Sequence, residues 1–222
     1  MPYEKKISRQ YPGLIVLILD DSGSMSDNLP GTSDRKYKWV ERYMGIILNE
    51  LLARSTDVPG GNTVIKPRYY LHVVAYGSST RVWGSPHMDI EAAATHFASS
   101  GNSLGLGGKL GGTDARTAFE EAYNFLSQEI TKERYQNSFP PMVFHLTDGM
   151  SATDASPIAE KIRQLSTNDG NVLVVNAYIG TQTSLNYQGP GDFPGYLDVA
   201  EAGPGQDNIR LFDMSSVAPQ AV

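Results

Sequence analysis

Five apolar runs of strand length, none of them cleanly alternating, leave this chain few ways to fold. They are "LIVLIL" (14–19), "YYLHVVAY" (69–76), "PMVFHLT" (141–147), "NVLVVNAYI" (171–179) and "IRLF" (209–212). A strand with one wet face alternates apolar and polar residues, whereas a strand covered on both faces stays apolar. Covered strands need helices on either side, and helical periodicity fills the gaps. Residues 35–54 carry Trp39, Val40, Tyr43, Ile46, Ile47 and Leu51 at spacings of three and four, which predicts a long helix with a wide apolar face. Residues 114–130 repeat the pattern with Ala115, Ala118, Phe119, Ala122, Phe125 and Leu126, behind Thr113 and Asp114 at the N-cap and acidic first turn. In 156–166, Ser156 is placed to cap and Pro157 to take the first helical position.

Strands alternating with helices imply crossover connections, hence an α/β chain with a mostly parallel central sheet of about six strands and helices on both faces. "SSTRVWG" (78–84) follows the second run after a very short turn and is expected to pair antiparallel as a short edge strand. Loops fall at 27–34, 99–112 and 181–193. None reads as a linker, so one domain over 1–222 is expected, with its core at about 12–214.

With 222 residues and 40% hydrophobic content the chain has ample surface for a core. A net charge of -6, without a long Lys or Arg block, argues against nucleic acid as a partner. The lack of cysteine excludes disulfides and thiolate metal ligands. The start, "MPYEKKISRQYPG", is polar, and the apolar run after it is too short for a signal-peptide core or a membrane span. The expectation is a cytoplasmic protein with no membrane span.

In an open parallel sheet, ligands bind where loops leave the carboxyl ends of the strands. Oxygen-bearing segments converge there: "DDSGSM" after the first strand with Asp20, Ser22 and Ser24, "GGTD" with Thr113, and "LTDG" with Asp148. An extended exit from the first strand would turn Asp20, Ser22 and Ser24 the same way and Asp21 elsewhere, with Gly23 allowing close approach. Two carboxylates, three hydroxyls and no soft ligand suit a hard cation. Mg²⁺ fits best, since it commonly takes one or two carboxylates and keeps several waters, with Mn²⁺ or Ca²⁺ as alternatives.

These three segments, in this order and at these junctions, resemble the metal-ion-dependent adhesion site of von Willebrand factor A (vWA) domains. The family pattern D-x-S-x-S falls on Asp20, Ser22 and Ser24, its threonine on Thr113 and its second aspartate on Asp148, so the site is complete. The resemblance covers nearly the whole chain, including the antiparallel strand and a helix at "YLDVAEAGPG" (196–205) before a last strand. It implies a three-layer Rossmann-like fold. It also implies that two hydroxyls ligate directly, that Asp20 and Asp148 act partly through water, and that Thr113 moves in on ligand binding. The sixth position then takes an Asp or Glu of a partner protein. An adaptor or scaffold is implied, not an enzyme, similar to intracellular bacterial members found beside AAA+ ATPases, kinases and phosphatases, including tellurium-resistance-associated systems. Family members usually end in a C-terminal helix, and "SSVAPQAV" (215–222) after "IRLFDM" is too short and too interrupted by Pro219 to supply one.

The alternative is a metal-dependent phosphoryl-transfer or phosphatase-like enzyme using Asp20. A receiver domain would carry its phosphorylated aspartate after the second run, which ends "VVAYGSS"; a haloacid-dehalogenase-like phosphatase would carry Asp where Ser22 stands. No nucleophile with an adjacent base is visible. "GLGGKLGGT" lacks the Gly and the hydroxyl residue of a phosphate loop, since Ser103 and Leu110 occupy those places. His72, His87, His96 and His145 show no paired ligand spacing, and His72 and His145 belong to strands. Asp21, Asp27, Asp114 and Asp154 are expected around the rim, where they would favour a partner with basic residues beside its coordinating acid. Tyr187 and Phe193 are candidates for a partner-facing surface.

Overall fold

The computed structural model describes residues 3–149, 151–180 and 205–217. The first apolar run becomes β1 (Gly13–Asp20), all eight residues of which are buried. It lies at the middle of the sheet between β2 (Tyr69–Tyr76) and β5 (Met142–Thr147), and β6 (Leu173–Tyr178) adds outside β5. These four strands are parallel, with Val16 opposite both His72 and Val143. The far edge of β2 is covered by two short antiparallel pieces, β3 (Thr80–Val82) and β4 (Met88–Asp89). The antiparallel edge is therefore present, in two parts.

Alternation along β1 divides the core. Leu14, Val16 and Ile18 face a layer made of α3 (Ala115–Glu129), α5 (Ser156–Gln164) and α6 (Gln206–Met214). Ile15, Leu17 and Leu19 face α1 (Lys36–Arg54) and α2 (Ile90–Ser99). A single turn, α4 (Glu133–Gln136), follows α3. The sheet is thus the middle of three layers, as covered strands require.

Three expectations need correction. "IRLF" is not a strand: residues 209–212 lie inside α6, and the sixth strand of the sheet is Met88–Asp89. A helix near the C-terminus is thus present, in 206–214 rather than in 215–222, and α6 packs on α5 and β6. The apolar face of α1 is narrower than predicted. Val40, Met44 and Leu48 enter the core at intervals of four, whereas Tyr43, Ile46 and Ile47 are exposed. Ser156 does not cap α5; the Asp154 carboxylate accepts from the Ser156 N–H instead. Helix α2 was not foreseen, although Asp89 caps it through the Ala92 N–H. The predicted helix at 196–205, apart from Gly205, and both Tyr187 and Phe193 lie outside the described residues.

Candidate metal centre

The carboxyl ends of β1, β2 and β5 lie side by side, and the site grows from them. β1 stops at Asp20, and Gly23–Ser26 forms a 3-10 turn rather than an extended exit. The hydroxyls still converge, by a different route. The Ser22 N–H donates to Asp20 Oδ1 at 2.8 Å, the Ser22 and Ser24 hydroxyl oxygens stand 3.2 Å apart, and Ser24 Oγ donates to Asp148 Oδ1 at 2.8 Å. Four of the five predicted residues therefore form one hydrogen-bonded set. Thr113 belongs to the adjoining loop. Its carbonyl accepts from the Ala152 N–H at 2.8 Å, and Gly111, two residues before it, accepts from the Gly23 N–H at 2.9 Å. Among the described residues, a Cβ added at Gly23 would meet only Gly111 O, at 3.7 Å.

The second oxygen of Asp20 is held from below. Asp20 Oδ2 accepts from Thr147 Oγ1 at 2.7 Å, with Tyr76 OH at 3.5 Å. The Tyr76 hydroxyl makes its shorter bond, 2.8 Å, to His145 Nε2, and His145 Nδ1 meets Asn176 Oδ1 at 2.7 Å. Asn176 Nδ2 is committed to Leu211 O and Ser215 Oγ, so its Oδ1 must accept and His145 Nδ1 must carry the proton. Tyr76 then donates to Nε2. Burial holds the imidazole down at about 4, neutral as this bonding needs, and pushes the Tyr76 phenol well above its ordinary value.

Asp20 and Asp148 are 1% and 9% exposed. Burial raises the Asp20 carboxyl above its ordinary value; bonds from Ser22 and Thr147 pull it back, and the charge of Asp148 pushes it further up. Among the described residues, one cation answers this pair directly. Lys36, the first residue of α1, sets its Nζ 2.6 Å from Asp148 Oδ2, with side-chain exposures of 13% and 2%. Two carboxylates against one ammonium leave the cluster short of positive charge, and all its side-chain donors are oxygen. These residues fit a hard divalent cation.

Sequence reasoning misplaced one neighbour and missed another. Asp21 is not on a rim: it is buried, and its Oδ1 accepts from Gly107 N at 2.7 Å and Gly108 N at 2.6 Å. The glycine-rich loop is hung on this carboxylate. Gly108 has φ 66° and lies so close that a Cβ would stand 2.9 Å from Ser26 N and 3.0 Å from Ser22 O, which only glycine tolerates. Asp114, also half-buried, caps α3 through the Thr117 N–H and accepts from Thr153 Oγ1 at 2.6 Å. Asp27 and Asp154 are exposed. Lys36 carried no motif; its one signal was a basic residue where a helix start prefers an acidic one.

No family model matches the chain, and no curated protein matches it. Solved structures do. The manganese-loaded TRAP protein of Plasmodium vivax aligns over 93% of this chain and 74% of its own, at 17% identity and a TM-score of 0.50. The fold is that of a vWA domain. A von Willebrand factor type A structure from Catenulispora acidiphila aligns over 74% of this chain and 32% of its own, at 18% identity and a TM-score of 0.44. An aerotolerance-related membrane protein from Bacteroides fragilis aligns over 82% and 75%, at 14% identity and 0.47. At such identities the likeness concerns the vWA fold alone. No helix among the described residues is long and apolar enough to cross a membrane.

Proposed function

We propose that this protein is a metal-dependent protein-binding module, an adaptor or scaffold, in which Asp20, Ser22, Ser24, Thr113 and Asp148 hold a divalent cation that receives an Asp or Glu of a partner. The observation that carries this reading is the hydrogen-bonded set of Asp20, Ser22, Ser24 and Asp148, which is rich in oxygen and short of positive charge. Mg²⁺ suits it best by donor type and charge, with Mn²⁺ and Ca²⁺ as alternatives. The ion, when bound, supplies an electrostatic anchor for a carboxylate. The chain's own part is to fix the donors: Thr147 orients Asp20 from below, and the Asp20 carboxylate and the Ser22 N–H lock each other. A single domain working in the cytoplasm, beside kinase, phosphatase or AAA+ ATPase systems, is the setting we favour.

A binding role is preferred to catalysis because Asp20 is unsuited to nucleophilic attack. Both its oxygens accept hydrogen bonds and it is almost wholly buried. The groove of about 360 Å³ between α1 and α2 and the small cavity of about 20 Å³ beneath α6 contain none of Asp20, Ser22, Ser24 or Asp148.

Calorimetric titration with MgCl₂ and MnCl₂ tests the metal. One ion per chain is expected, with affinity about 100-fold weaker in Asp20→Ala; wild type that binds neither ion overturns the reading. Capture of partners from the native cell extract, with and without a chelator, tests the bridge. Identical partners in both conditions and with Asp20→Ala would exclude metal-bridged recognition.

A further inference from the structure

We infer that Lys36 is a built-in rival of the divalent cation: its ammonium neutralises Asp148 until the ion displaces it, so that loading the site frees the first turn of α1. The inference rests on the metal reading above and goes beyond it, because it assigns a regulatory role to a residue outside the five.

The first turn of α1 is electrostatically inverted. A helix start presents unpaired N–H groups and the positive end of the dipole, and acidic or hydroxyl residues ordinarily settle there. Here Arg35 occupies the N-cap with no side-chain bond to the helix, Lys36 and Lys38 follow, and no acidic residue lies in the first turn. Three basic residues weaken the helix end unless each is answered elsewhere, and each is. Arg35 Nη1 donates to Ser26 O at 2.5 Å, Lys38 pairs with Glu41 at 3.0 Å, and Lys36 pairs with Asp148 at 2.6 Å. The pairing of Lys36 differs from the others in being enclosed, with 13% of the lysine and 2% of the aspartate side chain exposed, against 56% for Lys38. The backbone is shaped to deliver it. The Lys36 N–H donates to Asp27 O, and Asn28 bridges Arg35, so the loop after the 3-10 turn doubles back and starts α1 directly over the site.

Ser24 answers Asp148 Oδ1 and Lys36 answers the enclosed Oδ2, so leaving that second oxygen without a cation is costly. A divalent ion sharing that carboxylate repels the ammonium beside it, since like charges in a partly dehydrated site are poorly screened. Lysine suits the exchange. Its charge is a point on a flexible four-carbon stem that reaches water by rotating, with no fork of fixed bonds to break. Once released, Lys36 leaves the helix start without the enclosed one of its three pairings, and residues 27–38 loosen. The ion's arrival is thereby reported on the surface beside it.

The test compares wild type with Lys36→Met by calorimetric Mg²⁺ titration, and follows amine labelling of the wild type by mass spectrometry. Lys36→Met should bind Mg²⁺ at least about tenfold more tightly, as the rival is gone. In wild type, Lys36 should label slowly without Mg²⁺ and several-fold faster with it, while the exposed Lys161 of α5 serves as the internal reference. Equal or weaker affinity in Lys36→Met, or unchanged labelling of Lys36 when Mg²⁺ demonstrably binds wild type, overturns the rivalry and leaves the metal reading standing. If neither protein binds Mg²⁺ or Mn²⁺, the metal reading falls and the rivalry with it. The labelling needs no variant, so a folding defect in Lys36→Met cannot mask the result.

Discussion

At the carboxyl end of β1, Asp20 and Asp148 are held by hydroxyl groups and one lysine. At the opposite end of β2, Tyr70, His87 and Tyr135 pack as rings around Glu129 and Arg134. Tyr70 stacks on His87 with centroids 4.6 Å apart, the Arg134 guanidinium lies 4.7 Å from the rings of both Tyr70 and Tyr135, and His87 Nε2 meets Tyr135 OH at 2.7 Å. Glu129, buried there, pairs with Lys132. Both regions bury ionisable groups, but the aromatic end sets one carboxylate against the ammonium of Lys132, whereas the carboxyl end sets two against that of Lys36. The excess of carboxylate over cation, rather than the presence of buried charge, is what marks the carboxyl end as the candidate ligand site.

Each end also contains one imidazole depressed to about 4 by burial, His145 near Tyr76 and His72 near Phe125. Acid should therefore break the two ends alike. The unfolded imidazoles protonate near 6.5, so between about pH 6.5 and 4 the unfolded chain binds more protons than the folded one. Stability is full above about pH 6.5 and declines as pH falls toward 4, by on the order of 3 kcal/mol for each histidine. His87, lowered mainly by burial, changes in the same sense. Urea unfolding at a series of pH values measures the slope; a stability independent of pH across that window would contradict the burial of both rings.

One substitution applied at both ends should then separate them. His145→Phe strands the Tyr76 hydroxyl and Asn176 Oδ1 in the core and is expected to cost about 2–4 kcal/mol at pH 7.5. His72→Phe should cost less than about 1 kcal/mol. That ring stacks on Phe125 at 4.1 Å; Pro86 O lies near enough to favour its protonated form without a hydrogen bond of good geometry. His72→Phe should also remove its share of the acid loss. Equal costs in denaturant melts would show that the two histidines do the same structural work.

A smaller effect than that of His145→Phe is expected at Asp21, where charge serves the backbone rather than a ligand. Asp21→Asn keeps an acceptor for Gly107 and Gly108 but loses its charge, at about 1–2 kcal/mol. Hydrogen exchange should rise at residues 104–112 and stay unchanged around Tyr70 and Tyr135. A rise at both ends would mean that the carboxyl end is not locally stabilised.

The sheet could be read because runs such as 14–19 and 69–76 are long enough to have a recognisable pattern. "IRLF" could not, since four apolar residues fit a strand or the turn of a helix equally well, and only Ile209 and Phe212, one turn apart within Gln206–Met214, reveal α6. Helix α2 had a legible cap at Asp89 and apolar residues at Ile90, Ala93 and Phe97, but its alanines gave a weak stripe. In α1 apolar residues outnumber the positions the core can accept. Hydrophobicity therefore could not tell Met44 from Tyr43, and only the packing could. The convergence of Asp20, Ser22, Ser24 and Asp148 followed from their placement at strand ends, although the 3-10 turn that achieves it did not. The tasks of Asp21 and Lys36 depend on partners 86 and 112 positions away, which no local pattern encodes.

The fastening of the glycine-rich loop has a consequence for anyone who wishes to rebuild this protein. Asp21 grips Gly107 and Gly108, Leu110 O accepts from Ser78 N, and Ser78 Oγ accepts from the Gly112 N–H, so this stretch has fixed length and almost fixed composition. Just before it, Gly101 and Asn102 end α2 at the surface in left-handed conformation, exposed, with their N–H groups bonded to carbonyls of α2's own last turns. Foreign peptide grafted after Asn102 would be displayed at the groove between α1 and α2, which contains none of Asp20, Ser22, Ser24 or Asp148. The same graft five residues later would unhook the edge of the sheet.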